Sequence, residues 1–86
     1  MAKYTRIPAL SGKQLISLLQ KDGWEIHGRT RHGVSLKKIV NRRSIVTIVP
    51  DSRASLPEGT LNAILGVKQT GIGKSGLLVI INKHGL

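Results

Sequence analysis

The spacing of apolar residues changes from helical to strand-like at Asp22-Gly23, and this change limits the folds open to the chain. Before it, Ser11 and Gln14 have the spacing of a capping box, and leucine and isoleucine recur at helical intervals. We therefore predict a helix over residues 12–21, ended by Asp22-Gly23. From Trp24 onward the segments "WEIHGRT", "GVSLKKIV" and "SIVTIV" have the composition and alternation of strands.

The polar segment "NRR" separates the second and third predicted strands, so these two should form an antiparallel hairpin. After the third strand, Ser55 and Glu58 repeat the capping-box spacing and Pro57 suits a first helical turn. A second helix is therefore predicted there, with Gly66 near its end.

The C-terminal segment "KSGLLVIINKHGL" is compatible with a strand or a helix. We favour a short helix over residues 76–83, because Ser75 precedes the apolar run and Gly85 follows it. The predicted fold class is then α+β, an antiparallel three-stranded sheet with helices on one face and its other face open. A chain of 86 residues has room for one compact domain, and we expect residues 1–86 to form it.

The chain is strongly basic. It has 14 lysines and arginines against four acidic residues, a net charge of +10. Such a field attracts polyanions, of which nucleic acid is the most common, although an acidic protein would be attracted as well. The densest stretch has no acidic residue, and we expect its side chains to bind RNA. Its members are Arg29, Arg31, Lys37 and Lys38, which would hold the phosphates, with Arg42 and Arg43 on the hairpin tip as weaker candidates.

Several kinds of chemistry are disfavoured by composition. The chain has no cysteine, and His27, His32 and His84 do not have zinc-ligand spacing, so we expect no metal and no cofactor. The segment "GIGKSG" matches phosphate-binding loops poorly, and we interpret it as a loop that leads into a helix. With no long apolar run, the protein is expected to be cytoplasmic and free of membrane.

His32 is the candidate for catalysis. RNA carries its own nucleophile, the 2′-hydroxyl, so a histidine that moves protons beside phosphate-binding cations could cleave it without metal. Gly33 would leave room for a ribose or phosphate. However, alternation through Val34 and Leu36 would place His32 on the apolar face. Its exposure requires a register break in the turn or a bulge at Gly33.

Several segments together resemble HicA-type toxins of HicA–HicB toxin–antitoxin pairs: "SGKQLISLLQKDGWEI", a hairpin with a histidine near its start, "TIVP", "PEGTLNAIL" and "TGI". The resemblance implies a fold like the double-stranded-RNA-binding domain (dsRBD), with two helices behind a three-stranded sheet. It also implies an mRNA interferase with one catalytic histidine, blocked by a HicB antitoxin. Where the family usually has Gly-Ser-His, this chain has Thr30-Arg31-His32-Gly33. Counting without a gap from Gly23-Trp24 places Gly33 at the family's histidine position, and a one-residue shift of the alignment places His32 there.

Three functions are thus open at the level of sequence. The leading hypothesis is a metal-independent endoribonuclease that cleaves mRNA with His32 as general acid or base and holds phosphates with the neighbouring cations. The alternative is a non-catalytic RNA- or DNA-binding module of the same fold. A third is a protein whose basic face only docks an acidic partner.

Overall fold

The structure, a computed structural model, describes residues 4–85. The order of its elements confirms the predicted α+β class and is the dsRBD-like order that the resemblance implied, followed by a C-terminal helix. The elements are α1 (Gly12–Lys21), β1 (Glu25–Thr30), β2 (Gly33–Val40), β3 (Arg43–Val49), α2 (Glu58–Leu65) and α3 (Gly73–His84).

The first helix begins with the capping box that its sequence predicts. Ser11 Oγ accepts a hydrogen bond from Gln14 N at 3.1 Å, and Gln14 Oε1 accepts one from Ser11 N at 3.0 Å. Its apolar stripe is fully buried, and Trp24, just beyond the helix, is only 3% exposed. The helix therefore fixes one side of the core.

The sheet is antiparallel throughout, in the order β1-β2-β3. Val34 pairs with Val49 and Leu36 with Thr47, and all four are buried against the helices. Because successive side chains in a strand point to opposite faces, the residues between them lie on the open face. β2 and β3 are joined by a two-residue turn, Asn41–Arg42, in which both residues have positive φ, as this type of hairpin turn requires.

The predicted capping box at the second helix is wrong. α2 begins at Glu58 with Pro57 as its N-cap, and no side chain caps it. Ser55 instead forms an isolated antiparallel bridge with Ser11, and Leu56 N donates to Leu10 O at 2.7 Å. Pairing with a segment distant in sequence thus takes the place of the local cap.

The C-terminal helix is confirmed and is longer than predicted, spanning 12 residues from Gly73 to His84. The segment "GIGKSG" supplies a loop and the start of this helix, as expected. Gly71 and Gly73, with φ near 68°, provide backbone conformations that other residues adopt with strain.

The packing of the start of α1 against the end of β3 can be tested at Gly12. A Cβ at this position would overlap the carbonyl group of Pro50, whereas a Cβ at Gly59 of α2 would meet nothing within 4 Å. We expect Gly12→Ala to lower the free energy of unfolding by about 1–3 kcal/mol through overpacking. Gly59→Ala, the matched control, should leave stability unchanged or raise it by up to about 1 kcal/mol. Urea unfolding measures both, and a Gly12→Ala protein as stable as the unsubstituted chain would contradict this account.

Candidate functional site

His32 lies in the tight turn between β1 and β2. Thr30 pairs with Gly33, which leaves Arg31 and His32 as the two turn residues. Thr30 Oγ1 accepts a hydrogen bond from His32 N at 3.1 Å and donates one to Gly33 O at 3.2 Å. The backbone of the turn is therefore fixed, while the side chain of His32 is exposed.

The position of His32 decides between the two orientations that the sequence left open. His32 belongs to the turn rather than to β2, so the alternation of Val34 and Leu36 does not extend to it. The irregularity in pairing falls in β1, at His27 between Ile26 and Gly28, and not at Gly33. Exposure of His32 thus follows from the turn itself.

Gly33 has a different role from the one expected. Its φ is +141°, and a Cβ there would overlap the carbonyl of Val49 and lie 2.9 Å from Pro50 Cα. The space beside Gly33 is thus filled by the end of β3, and the expectation that it admits a ribose or phosphate is wrong. The absence of a side chain instead lets the turn pack against Val49–Pro50.

Asp51, directly after Val49–Pro50, forms ion pairs with two cations from different parts of the chain. Its carboxylate accepts hydrogen bonds from Lys13 Nζ of α1 at 2.8 Å and from Arg29 Nη1 of β1 at 3.0 Å. The hydrogen bond from Lys13 is the main cause that holds the pKa of Asp51 below its ordinary value. Desolvation opposes it, and the charge of Lys13 together with the charge and hydrogen bond of Arg29 lowers the pKa further. The carboxylate of Asp51 therefore holds the side chains of Lys13 and Arg29 in place.

We call this region the His32 corner and define it as Lys13, Arg29, the turn Thr30–Gly33 and the segment Val49–Asp51. With Arg31 it holds three cations against one carboxylate, so its net charge is positive. Lys13 had no signal in the sequence as a site residue, because it reaches Asp51 across 38 positions. Asp51 had no local signal either, because both of its partners lie on elements distant in sequence.

The other predicted RNA-binding residues lie elsewhere. Lys37 is on the open face, directly opposite Glu25 in the register, and Lys38 is on the helix side, where its Nζ donates to Asp22 O at 2.9 Å. Arg42 and Arg43 lie at the other end of the eight-residue β2, about 23 Å from the turn at the usual rise per residue. The six clustered cations of the sequence are therefore separated in space.

The open face is consequently less basic than expected. Its charged side chains in the paired register are Lys37 and Glu25, which oppose each other. The exposed apolar residues of this face include Ile39, 68% exposed, Val46, 46% exposed, and Ile48. A polyanion would find more positive charge at the His32 corner than on the face of the sheet.

Two further properties concern metals and membranes. Among residues 4–85, no three histidine, cysteine or acidic side chains are grouped so that they could hold a metal ion. No helix in this part of the chain has the length and apolar composition needed to cross a bilayer.

These features define a small basic α+β domain with an exposed histidine on a cationic corner. A family model described as the HicA toxin of bacterial toxin–antitoxin systems matches residues 12–72, and the chain therefore belongs to the HicA toxin family. Membership in a toxin–antitoxin family implies an antitoxin as partner. No curated protein and no solved structure matches the chain significantly.

The ion pairs of Asp51 predict a pH dependence. The pKa of Asp51 is lower in the folded state than in the unfolded chain. Its ion pairs therefore contribute fully to stability at pH values above the ordinary carboxyl pKa, and this contribution is lost as the pH falls through the folded-state pKa. We expect Lys13→Met to raise the pKa of Asp51 toward its ordinary value, measured by NMR titration of the carboxyl carbon. Arg42→Met, which removes a distant cation, should leave it unchanged. An Asp51 that titrates at the ordinary value in the unsubstituted protein would refute the ion-pair geometry.

Proposed function

We propose that this HicA-family toxin is a metal-independent endoribonuclease that cleaves mRNA in the cytoplasm, with His32 as the general acid or base, and that a HicB-type antitoxin restrains it. The observation that carries the proposal is the exposed ring of His32 on a turn whose backbone Thr30 fixes, at a corner with excess positive charge. A fixed backbone with a free imidazole suits a group that must reach a substrate proton.

The packing of Gly33 supports His32 as the family histidine. Counting without a gap from Gly23-Trp24 would place the family's histidine at position 33. A side chain at that position would overlap β3 and would require a positive φ. His32, one residue earlier, is the histidine of the turn and is open to a substrate. The backbone at Gly33 therefore supports the one-residue shift.

The proposed reaction is an internal transesterification of RNA. A base removes the proton of a 2′-hydroxyl, the oxygen attacks the adjacent phosphorus, and the 5′-oxygen leaves with a proton from an acid. The products are a 2′,3′-cyclic phosphate and a 5′-hydroxyl, and no further reactant is needed. His32 performs one of the two proton transfers, and the cations beside it stabilise the charge that develops on phosphorus.

The cations divide into near and distant groups under this proposal. Arg31 shares the turn with His32, and Arg29 lies in the same corner on Asp51, so these two would contact the cleaved phosphate. Lys37, Lys38, Arg42 and Arg43 would bind RNA only farther along the strand. Lys38 is the weakest of these, because its ammonium group is already held by Asp22.

A second candidate function, a non-catalytic RNA-binding module, is favoured by one observation. Within residues 4–85, neither ring nitrogen of His32 forms a hydrogen bond that would orient the imidazole. Catalytic histidines commonly have such a partner. This function predicts salt-dependent binding of RNA that remains intact.

The two candidates are separated by His32→Ala. We expect the rate of RNA cleavage in the presence of a chelator to fall by about 10²–10⁴-fold, the usual contribution of a general acid or base. RNA affinity should change little, because the phosphate-binding cations remain. Product analysis on a denaturing gel gives the rate, and a filter assay gives the affinity.

His27→Ala is the matched control, because His27 is also exposed and lies on β1, outside the corner. It should cleave RNA at the unsubstituted rate. Equal cleavage by the His32→Ala and unsubstituted proteins would remove His32 from the mechanism, and loss in both variants would point to a general effect on the sheet.

A comparison of Arg31→Gln with Arg42→Gln tests where RNA binds. Each phosphate contact to single-stranded RNA contributes about 0.7 to the slope of log affinity against log salt concentration. We expect Arg31→Gln to lower this slope by about that amount and to weaken binding to a short oligonucleotide. Arg42→Gln, at the far end of the hairpin, should have a smaller effect. The reverse order would place the RNA on the hairpin tip instead of the His32 corner.

A further inference from the structure

β3 is an edge strand whose outer side is unpaired. The sheet order is β1-β2-β3, so only one side of β3 faces another strand. In the chain from Tyr4 to Gly85, none of the backbone hydrogen bonds outside the regular elements involves residues 43–49. The backbone groups on the outer side of β3 are thus open to a further strand.

The two edges of the sheet differ in how well they are protected. β1 is interrupted by the bulge at His27, which disturbs the regular spacing that an added strand would need. β3 pairs with β2 over all of its seven residues without a register shift. It contains no proline, and its single charged residue is Arg43, at the first position. β3 is therefore the edge suited to strand addition.

A cleft of about 530 Å³ lies beside the first half of this edge, between Arg43–Val46 and the loop Val67–Gly71. The loop is held in place because Thr47 Oγ1, on the helix side of β3, donates to Gln69 Oε1 at 2.6 Å. The cleft has Arg43 and Lys68 in its lining but no acidic residue. Neither cation forms a salt bridge within the described part of the chain.

We propose that the outer edge of β3 and this cleft bind an extended, acidic segment of a partner protein as a fourth strand of the sheet. In such a strand, alternate side chains point to opposite faces. Carboxylates on the helix side would enter the cleft toward Arg43 and Lys68. Aliphatic side chains on the other face would pack beside Val46 and Ile48, which are exposed on the open face.

The chemistry of the edge favours an acidic protein over the other occupants. A second copy of this chain would carry the same net charge of +10 and would be repelled. RNA has no peptide groups to pair with the edge, and the exposed neighbours Val46 and Ile48 offer it neither charge nor an aromatic ring for stacking. The proposal does not depend on RNA cleavage.

The test uses a probe peptide as long as β3, acetylated and amidated, in which valine and glutamate alternate. Titrated at millimolar concentration into the ¹⁵N-labelled protein, it should shift amide resonances of residues 43–49 and 67–71 and slow hydrogen exchange at the β3 edge. The double variant Arg43→Glu/Lys68→Glu should weaken binding by about tenfold or more. Arg6→Glu/Lys83→Glu, which changes the net charge equally at exposed positions of the N-terminal segment and α3, should leave affinity within about twofold.

Strand addition has a specific signature in the probe itself. Only alternate amides of an added strand bond to the edge, so N-methylation of one alternate set should abolish binding and N-methylation of the other should not. Equal binding by both methylated peptides, equal weakening by both double variants, or shifts at β1 instead of β3 would overturn the proposal. Absence of any shift at β3, or concentration-dependent shifts there without peptide, which indicate self-association, would do so as well.

Discussion

The backbone of Val49–Pro50 runs between Gly12 of α1 and Gly33 of β2, and the arrangement of the His32 corner depends on this close packing. A Cβ on either glycine would overlap it. The contact is extended by Lys13 N, which donates to Ser52 O at 3.1 Å. The start of α1, the start of β2 and the end of β3 are thereby held at one place, although they lie far apart in sequence.

This packing explains why charges converge there. Lys13 and Arg29 reach the same carboxylate because their elements meet at the end of β3. Asp51 neutralises part of their charge, and Arg31 in the turn keeps the balance positive. Under the proposed function, a phosphate that approached His32 would encounter Lys13 and Arg29 already held by Asp51, which would limit the reorganisation needed to stabilise a charged transition state.

Local patterns in the sequence were sufficient for most of the fold. The capping box of α1 and the alternation of Val34 and Leu36 are short-range signals, and the structure has both as predicted. The start of α2 was predicted wrongly because Ser55 pairs with Ser11, a contact that no local pattern shows. The predicted RNA-binding residues lie in three separate places. Alternation along β2 places Lys37 and Lys38 on opposite faces of the sheet, and Arg42 lies at the far end of the hairpin.

The candidate site was predicted in part. His32 was identified from its neighbours and from the family resemblance, and the structure places it in an exposed turn. The contributions of Lys13 and Asp51 could not be predicted, because they depend on how α1 packs against the end of β3. The role of Gly33 was also beyond the sequence, since a glycine that admits a ligand and one that admits a neighbouring strand look the same.

The His32 corner and the β3 edge are two separate surfaces, and both carry part of the chain's excess positive charge. His32 lies near Val49, at one end of β3, whereas Arg43 and its cleft lie at the other end, about 20 Å away at the usual strand rise. An acidic strand bound along β3 would thus lower the field that attracts RNA without entering the corner. An occupant of one surface would therefore affect binding at the other through charge alone.

Mass spectrometry of the RNA ends tests the central claim most directly. A short RNA is incubated with the protein in the presence of a chelator, beside the same RNA with a 2′-deoxy residue at each cleaved position. The account predicts 2′,3′-cyclic phosphate and 5′-hydroxyl ends from the first RNA and no cleavage of the second. Products with 3′-hydroxyl and 5′-phosphate ends, or cleavage at the deoxy positions, would contradict it.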